Sequence, residues 1–321
     1  MNRMTRRQFL IRSALLTATA MIADARWLLA DRQWAISDRP PAGGHEPVVV
    51  ARGADYAEKL KQAIGKLGGE RAIVRRGERV LIKPTLAWNR APGQGANVHP
   101  EVLRATIEMA LRAGARQVVI FDRTSLPSHF AYSVSGAKQV VREINDPHVR
   151  LVQLAEEDFI PFEMTADRRP PAASTCLSSY RVCRYLLDAD RVINLATARH
   201  HPTRRASLGM ANLLGLTGGA PADAEWLRHR DAELAVLSAA VRPELTILDA
   251  TRAIIRNGPM GRGAQDVARW DTLVVSRDPL AVEAYGAQLF GLDPGSLLHL
   301  GLAERLGLGV SDVGHARLIE V

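Results

Sequence analysis

Cysteine is nearly absent from this chain, which contains two cysteines in 321 residues. Cys176 and Cys183 form no Cys-x-x-Cys motif, so we expect no cysteine-ligated iron–sulfur cluster. In one helix their spacing would separate them by about 10 Å, which is too far for a disulfide bond. Only a hairpin could pair them, and we otherwise expect two partly buried, small apolar side chains.

Aromatic residues are also scarce, at 5% of the chain, and acidic residues are mixed among the 42 basic ones. The net charge of +8 comes mainly from arginine, because the only lysines are Lys59, Lys61, Lys66, Lys83 and Lys138. A nucleic-acid-binding surface usually combines a basic stripe with interleaved aromatic residues. That combination is missing, so we do not expect nucleic acid as a partner.

Long apolar runs are missing as well, and no segment approaches the roughly 20 residues of a membrane-spanning helix. We therefore expect no stable membrane span. The first 25 residues instead have a basic start, a short apolar stretch and small residues around a cleavage point, as secretory signals do.

Paired arginines near the N-terminus refine this prediction. Arg6 and Arg7, followed by Phe9 and Leu10, resemble the twin-arginine export signal. We predict a signal peptide over residues 1–25, cleaved near Ala25, that takes the protein to the periplasm through the twin-arginine export machinery. The alternative is an ordinary amphipathic N-terminal helix.

The rest of the chain alternates strand-like and helix-like patterns after a predicted linker at residues 26–46. Short apolar runs such as "RVLIKPTL", "QVVIFD" and "RVINLATA" are separated by amphipathic stretches with helical spacing. This order predicts a single α/β domain over residues 47–321, with a mostly parallel sheet and helices on both faces. Residues 156–189 break the pattern and predict an irregular central insertion, either hairpin strands or a flap.

Polar side chains follow several of the predicted strands, at the edge where open α/β sheets bind ligands. Lys83 and His200 are the candidate catalytic residues. Lys83 ends an apolar strand in a chain that otherwise favours arginine, and His200 is an acid/base or a metal ligand. The candidate ligand-binding residues are Asn97, His99, Asp122, Arg199, Arg204, Asn212, Asp249, Arg252 and Asn257.

Several of these residues also have structural explanations. His99 precedes Pro100 and is a candidate helix N-cap, and Asp122 and Asp249 could close turns after their strands. A metal site from His99, His200 and Asp122 would require the fold to bring them together. The sequence contains no Gly-x-Gly-x-x-Gly, Walker, Gly-x-Ser-x-Gly or His-Glu-x-x-His motif, so it identifies neither a metal nor a cofactor.

Three ordered segments resemble a known family: "LIKPTLAWNR…GANVHPEVLRATIEMALRAGARQVVIFD", "INLATARHH…SLGMANLLGL" and "ILDATRAIIRNGPMGRG…DTLVVSRDPLAVEAYGAQLFG". They are similar to the bacterial and archaeal domain-of-unknown-function family 362, over roughly residues 47–292. This chain resembles the exported members with twin-arginine signals and lacks the cysteine-rich, ferredoxin-like module of other members. The resemblance implies no established catalytic residues.

The chain departs from the family's pattern at two lysines. The resemblance implies Lys-x-His and, later, Gly-Met-Lys-Asn, where this chain has Arg199 and Ala211. Positive charge is partly kept, but a lysine base at these two positions is not available. At the level of fold alone, the arrangement is similar to nickel-cofactor lactate racemases, and such a likeness does not establish function.

We therefore expect a cleft at the strand ends that binds an anionic small molecule or cofactor. Lys83, Arg199, Arg204 and Arg252 would supply positive charge. The protein would be either a redox or racemase-type enzyme or a non-catalytic periplasmic binding or cofactor-delivery protein. A third interpretation, a cleft that has lost its function, follows from the two replaced lysines.

Overall fold

The computed structural model describes residues 46–125, 127–162, 180–218 and 230–321. The predicted signal peptide over residues 1–25 lies outside these residues, as do Cys176 and all of the predicted linker except Glu46.

The strands form one large sheet and one small sheet. Their bounds are β1 (Val48–Arg52), β2 (Arg79–Pro84), β3 (Gln117–Ile120), β4 (Val149–Leu151), β5 (Phe159–Phe162), β6 (Tyr180–Cys183), β7 (Arg191–His201), β8 (Arg205–Ser207), β9 (Thr217–Gly218), β10 (Leu245–Ile254), β11 (Val267–Ala268), β12 (Thr272–Ser276) and β13 (Leu318–Glu320). Within the described residues, the large sheet has ten strands in the order β13-β1-β12-β10-β7-β2-β3-β4, with β8 beside β7 and β11 beside β10.

Most neighbouring strands of the large sheet are parallel. The pairs β10–β7, β7–β2, β2–β3, β3–β4 and β1–β13 all run in the same direction. Strand β12 is antiparallel to both β10 and β1, and the short β8 and β11 fold back on β7 and β10. The prediction of a mostly parallel sheet is confirmed.

Helices cover both faces of this sheet. Their bounds are α1 (Tyr56–Lys66), α2 (Glu70–Ile73), α3 (Pro100–Ala113), α4 (Ser128–Val134), α5 (Ala137–Ile144), α6 (Arg184–Asp188), α7 (Gly209–Asn212), α8 (Arg230–Val241), α9 (Pro279–Leu289) and α10 (Leu298–Arg305). Successive strand residues alternate between faces. Val80 and Ile82 therefore pack into the core under α1 and α3, while Leu81 packs into a second core with residues of α6 and α8.

The predicted central insertion forms part of the small antiparallel sheet. Strands β5 and β6 pair with Phe159 opposite Cys183, and β9 extends β6 on its other side. Cys183 is a buried free cysteine, and burial raises the pKa of its thiol to about 12. It is therefore a protonated, apolar core residue, as expected.

The helices of the described residues include none that is long and apolar enough to cross a membrane.

A buried histidine connects three helices of one layer. His299 of α10 lies with Nδ1 3.2 Å from Asp231 Oδ1 of α8 and with Nε2 3.4 Å from Glu283 Oε1 of α9. Burial alone would lower the pKa of His299, but hydrogen bonding and attraction to the two carboxylates raise it to about 9. The charged imidazolium therefore holds two carboxylates of neighbouring helices together.

This geometry predicts a loss of stability in alkaline solution. Since the folded-state pKa of His299 lies above its unfolded value, the stabilisation is complete below about pH 6.5 and disappears as pH rises through about 9. We expect the free energy of unfolding, measured with urea, to fall by about 2 kcal/mol between pH 6 and pH 10.

His299→Gln should be less stable at pH 6 and should lose most of this pH dependence. His315→Gln is the matched control because the side chain of His315 is 82% exposed. A pH dependence that His299→Gln leaves unchanged would contradict the assignment.

Candidate functional site

A buried ion pair lies where two neighbouring parallel strands end. Lys83 is the penultimate residue of β2 and Asp122 follows β3, so both reach the same edge of the sheet. Lys83 Nζ lies 2.6 Å from Asp122 Oδ1, and the two side chains are 0% and 4% exposed. Burial lowers the pKa of Lys83, and the charge and hydrogen bond of Asp122 oppose this shift.

Asn212, at the end of the one-turn helix α7, holds the Lys83 side chain of this ion pair in place through hydrogen bonds. Its Oδ1 accepts hydrogen bonds from Lys83 Nζ at 3.1 Å and from Thr85 Oγ1 at 2.9 Å. Its Nδ2 donates to the Lys83 carbonyl and to Asn194 Oδ1, both at 2.8 Å. The partners define the orientation of the amide, and Asn212 joins β2, β7 and α7 at one point.

Asp122 is held by further contacts. The backbone N–H of Leu86 donates to Asp122 Oδ2 at 2.7 Å. The Tyr132 hydroxyl lies 2.9 Å from the Asp122 backbone nitrogen and donates to the Val152 carbonyl at 3.1 Å. The carboxylate therefore has one orientation relative to the strand ends.

Gly215 covers the ion pair, and the sequence interpretation missed it. A Cβ at this position would lie 2.5 Å from Lys83 Cε and would overlap Asp122 Oδ1. Any larger residue would have to displace the pair. The only sequence signal was a glycine in the apolar stretch "LLGLTGG" after Asn212, which the pattern did not distinguish from an ordinary turn glycine.

A cleft of about 230 Å³ opens beside this pair, beyond the ends of β2 and β3. Three of the predicted ligand-binding residues line it, namely Asp122, Arg199 and Asn212, whereas Lys83 lies behind the wall. The complete lining is Thr85, Ala87, Asp122, Arg123, Arg199, Ala211, Asn212, Leu214, Gly215 and Thr217.

Two arginines make the cleft positive. Arg199 of β7 is 7% exposed, and its Nη1 donates to the Ala96 carbonyl at 3.0 Å. Its Nε is buried without a hydrogen-bond partner among the described residues. Burial lowers the pKa of Arg199 to about 10, against the attraction of Asp122, so the group stays charged at neutral pH. The second arginine, Arg123, is exposed and its Nη1 donates to the Thr217 carbonyl at 3.2 Å.

His200 is not part of this cleft. Adjacent residues of a strand point to opposite faces of the sheet. The side chains of Arg199 and His200 therefore lie on opposite faces, although the two residues are neighbours in β7. His200 Nδ1 accepts a hydrogen bond from the Gly258 N–H at 3.2 Å, which ties β7 to the loop after β10.

Three further predicted residues form a second polar cluster around Tyr56 of α1. The His99 ring stacks on the Tyr56 ring with centroids 4.3 Å apart, and Arg252 Nη1 donates to the Tyr56 hydroxyl at 2.6 Å. Asp249 Oδ2 accepts from the His99 N–H at 2.8 Å, and its Oδ1 accepts from the Thr251 hydroxyl at 2.6 Å. Burial lowers the pKa of His99, although Asp249 opposes it.

The His99 side chain also caps a helix, as the alternative explanation of its position predicted. Its Nδ1 accepts from the Glu101 N–H at the start of α3, at 3.3 Å. His99, Asp249 and Arg252 do not line the cleft.

The remaining predicted residues brace loops or lie apart. Asn97 donates to the carbonyls of Trp88 and Arg90 at 2.7 and 3.0 Å, and Asn257 donates to both Asp266 oxygens at 3.1 Å. Burial lowers the pKa of Arg204, while Glu283 of α9 opposes this shift. None of the three lines the cleft.

A metal site from His99, His200 and Asp122 would require these side chains to converge, and each of them instead belongs to a different set of contacts. More generally, in the part of the chain that the structure describes, no group of three or more His, Cys, Asp or Glu side chains could hold a metal ion.

Comparison with known proteins places the chain in a family. The profile "Domain of unknown function (DUF362)" matches residues 80–288, which is more than half of the chain and includes the ion pair and the cleft. The chain belongs to this family. The resemblance inferred from the three sequence segments is thereby confirmed at the family level.

A curated relative and a solved structure are among the proteins that are similar to this DUF362 chain. The thylakoid-associated protein sll1697 of Synechocystis sp. is 29% identical over 256 residues, which cover 78% of this chain and 74% of the relative. A crystal structure of a Thermotoga maritima protein matches with a TM-score of 0.42 and 12% identity. That match covers 74% of this chain and 60% of the Thermotoga chain, less than two thirds of its length.

Both positions at which this DUF362 chain lacks the lysines implied by the resemblance lie in the cleft wall. Arg199 and Ala211 are both lining residues. An arginine therefore keeps a positive charge at one of these positions, while the small Ala211 side chain leaves part of the other wall apolar.

Gly215 generates a prediction for this site. Gly215→Ala should destabilise the protein by about 2 kcal/mol, because the new methyl group must displace the buried ion pair. Gly301→Ala in α10 is the control, since a Cβ there meets nothing within 4 Å and alanine favours the helix. Urea unfolding of both variants tests this, and equal stability of the two would contradict the described packing.

Proposed function

We propose that the cleft binds a small anion. The observation that supports the proposal is the charge at its wall. Arg123 and Arg199 line the cleft with Asp122 as the single lining carboxylate among the described residues. That carboxylate is paired with Lys83 at 2.6 Å, which leaves the two guanidinium groups in excess.

Arg199 is the main binding group in this proposal. Its guanidinium is almost completely removed from water, yet only Nη1 has a hydrogen-bond partner among the described residues, the Ala96 carbonyl. A buried charge without a counter-ion is unfavourable, and an anionic ligand supplies both the charge and the missing acceptors.

The size of the cleft limits the ligand. A volume of about 230 Å³ lies below the roughly 300–1,000 Å³ of sites for drug-sized molecules and cofactors. A dinucleotide or a large cofactor would extend well beyond this volume. We infer a ligand of a few non-hydrogen atoms.

Binding is favoured over catalysis by the placement of the two predicted catalytic residues. The Lys83 side chain is buried behind the cleft wall and covered by Gly215. The His200 side chain lies on the opposite face of β7 from Arg199. We therefore prefer a periplasmic binding or cofactor-delivery role to a catalytic one. Lys83 then acts as a positioning residue that fixes Asp122.

A proton-transfer enzyme of the racemase type is the second candidate. It is favoured by Asp122, a carboxylate in the cleft wall that shares a 2.6 Å contact with a buried lysine of lowered pKa. Turnover of a bound anion that Asp122→Asn abolishes would favour this candidate over simple binding. A redox reaction would require a cofactor that the described residues do not identify.

Arg199 provides the test of anion binding. Small carboxylates and inorganic phosphate, each at tens of millimolar, should raise the melting temperature of the protein by about 3 °C if they reach ten times their dissociation constant. We expect Arg199→Gln to lose this ligand-induced shift, because the buried cation is removed.

The matched control is Arg71→Gln, which removes the same charge from an exposed position on α2. It should keep the full shift. Anion-induced shifts of equal size in the wild type and in Arg199→Gln would contradict the proposal.

We also propose that residues 1–25 export the protein to the periplasm through the twin-arginine machinery. The support is the Arg6–Arg7 pair ahead of a short apolar stretch. Replacing both arginines by lysine should retain the protein in the cytoplasm, as measured by immunoblotting of cell fractions. Arg3→Lys with Arg12→Lys is the control and should be exported; normal export of the Arg6/Arg7 variant would refute the signal.

A further inference from the structure

The polar residues of the cleft differ in how much hydrogen-bonding capacity they have left. Thr85 Oγ1 donates to Asn212 and accepts from the Thr197 N–H at 3.1 Å. Thr217 Oγ1 donates to the Leu214 carbonyl at 2.8 Å. Their donors are committed to the protein, so these hydroxyl groups contribute little to a ligand.

Asn212 is also fully engaged. Its Oδ1 accepts two hydrogen bonds and its Nδ2 donates to Lys83 O and Asn194 Oδ1. An amide has two N–H donors and two acceptor positions, and all four are in use. The hydrogen-bonding positions that remain free for a ligand in the cleft therefore belong to its charged residues.

Asp122 is the acceptor among these charged residues. An ionised carboxylate has about four acceptor positions, and Asp122 uses one for Lys83 Nζ and one for the Leu86 N–H. It lines the cleft although its side chain is only 4% exposed. Two of its acceptor positions therefore remain for a donor that the ligand brings to this wall.

We infer that the ligand is a small carboxylate that carries its own hydrogen-bond donor, a hydroxyl or an ammonium group, which it directs at Asp122. The carboxylate of the ligand pairs with Arg199, and its short carbon body lies against Ala87, Ala211 and Leu214. Lys83 neutralises Asp122, so the ligand anion is not repelled by it. This inference rests on the proposed anion binding at the same cleft.

Three carboxylates of similar size distinguish the groups involved. Hydroxyacetate and propanoate have the same shape but differ in the hydroxyl donor, and methoxyacetate keeps the oxygen without the donor. Isothermal titration of the purified full chain should show hydroxyacetate binding about tenfold more tightly than either of the others, as a hydrogen bond to a charged group predicts.

Two variants locate the acceptor. Arg199→Gln should weaken hydroxyacetate and propanoate by a similar factor and leave their ratio unchanged. Asp122→Leu should reduce the ratio to within about twofold, because leucine has a similar size and no acceptor oxygen. Since that change leaves Lys83 buried without a counter-ion, the double variant Lys83→Met/Asp122→Leu is used if the single variant does not fold.

The outcomes separate this inference from the proposal beneath it. If no carboxylate binds the wild type, anion binding itself fails. If hydroxyacetate and propanoate bind equally, anion binding stands and the donor requirement is wrong. A preference for hydroxyacetate that persists without the Asp122 carboxylate would also overturn the inference, because the acceptor would then be another group.

Discussion

The buried contact between Lys83 and Asp122 is the interaction on which the rest of the site depends. A lysine ammonium and a carboxylate without access to water are stable only when both are paired and otherwise hydrogen-bonded. The surrounding residues meet this requirement: Asn212 and a backbone carbonyl accept from Lys83, and the Leu86 N–H donates to Asp122. The same contacts bring the ends of β2 and β3 together with α7, and so they define the wall of the cleft.

Sequence periodicity predicted the α/β class and most of the strands, because buried parallel strands read as short apolar runs. It did not predict the order of the strands. The antiparallel β12 lies between β10 and β1, and its buried sequence "TLVVS" is equally compatible with a parallel strand. Only its pairing with both neighbours defines its direction, and pairing is not encoded in the pattern of one strand.

The rule that ligands bind beyond strand ends drew attention to Asp122 and Arg199, and both line one cleft together with Asn212, which only the family resemblance had singled out. The same rule grouped them with residues that the fold separates. His200 is adjacent to Arg199 in sequence but faces the other side of β7, and His99 is directed to Tyr56 by helix capping and ring stacking. Gly215 could not be predicted, because its importance lies in the space above the ion pair and not in any group that it carries.

The fully engaged hydrogen bonds of Thr85 and Asn212 have a consequence for the entropy of binding. Side chains that are already confined to one rotamer lose no conformational freedom when a ligand arrives. Asp122 and Arg199 are confined in the same way by their burial, so the side-chain ordering on binding is concentrated in the exposed Arg123. The rigid part of the cleft therefore determines which ligand fits, whereas Arg123, held in part by its hydrogen bond to the Thr217 carbonyl, carries the remaining cost of side-chain ordering.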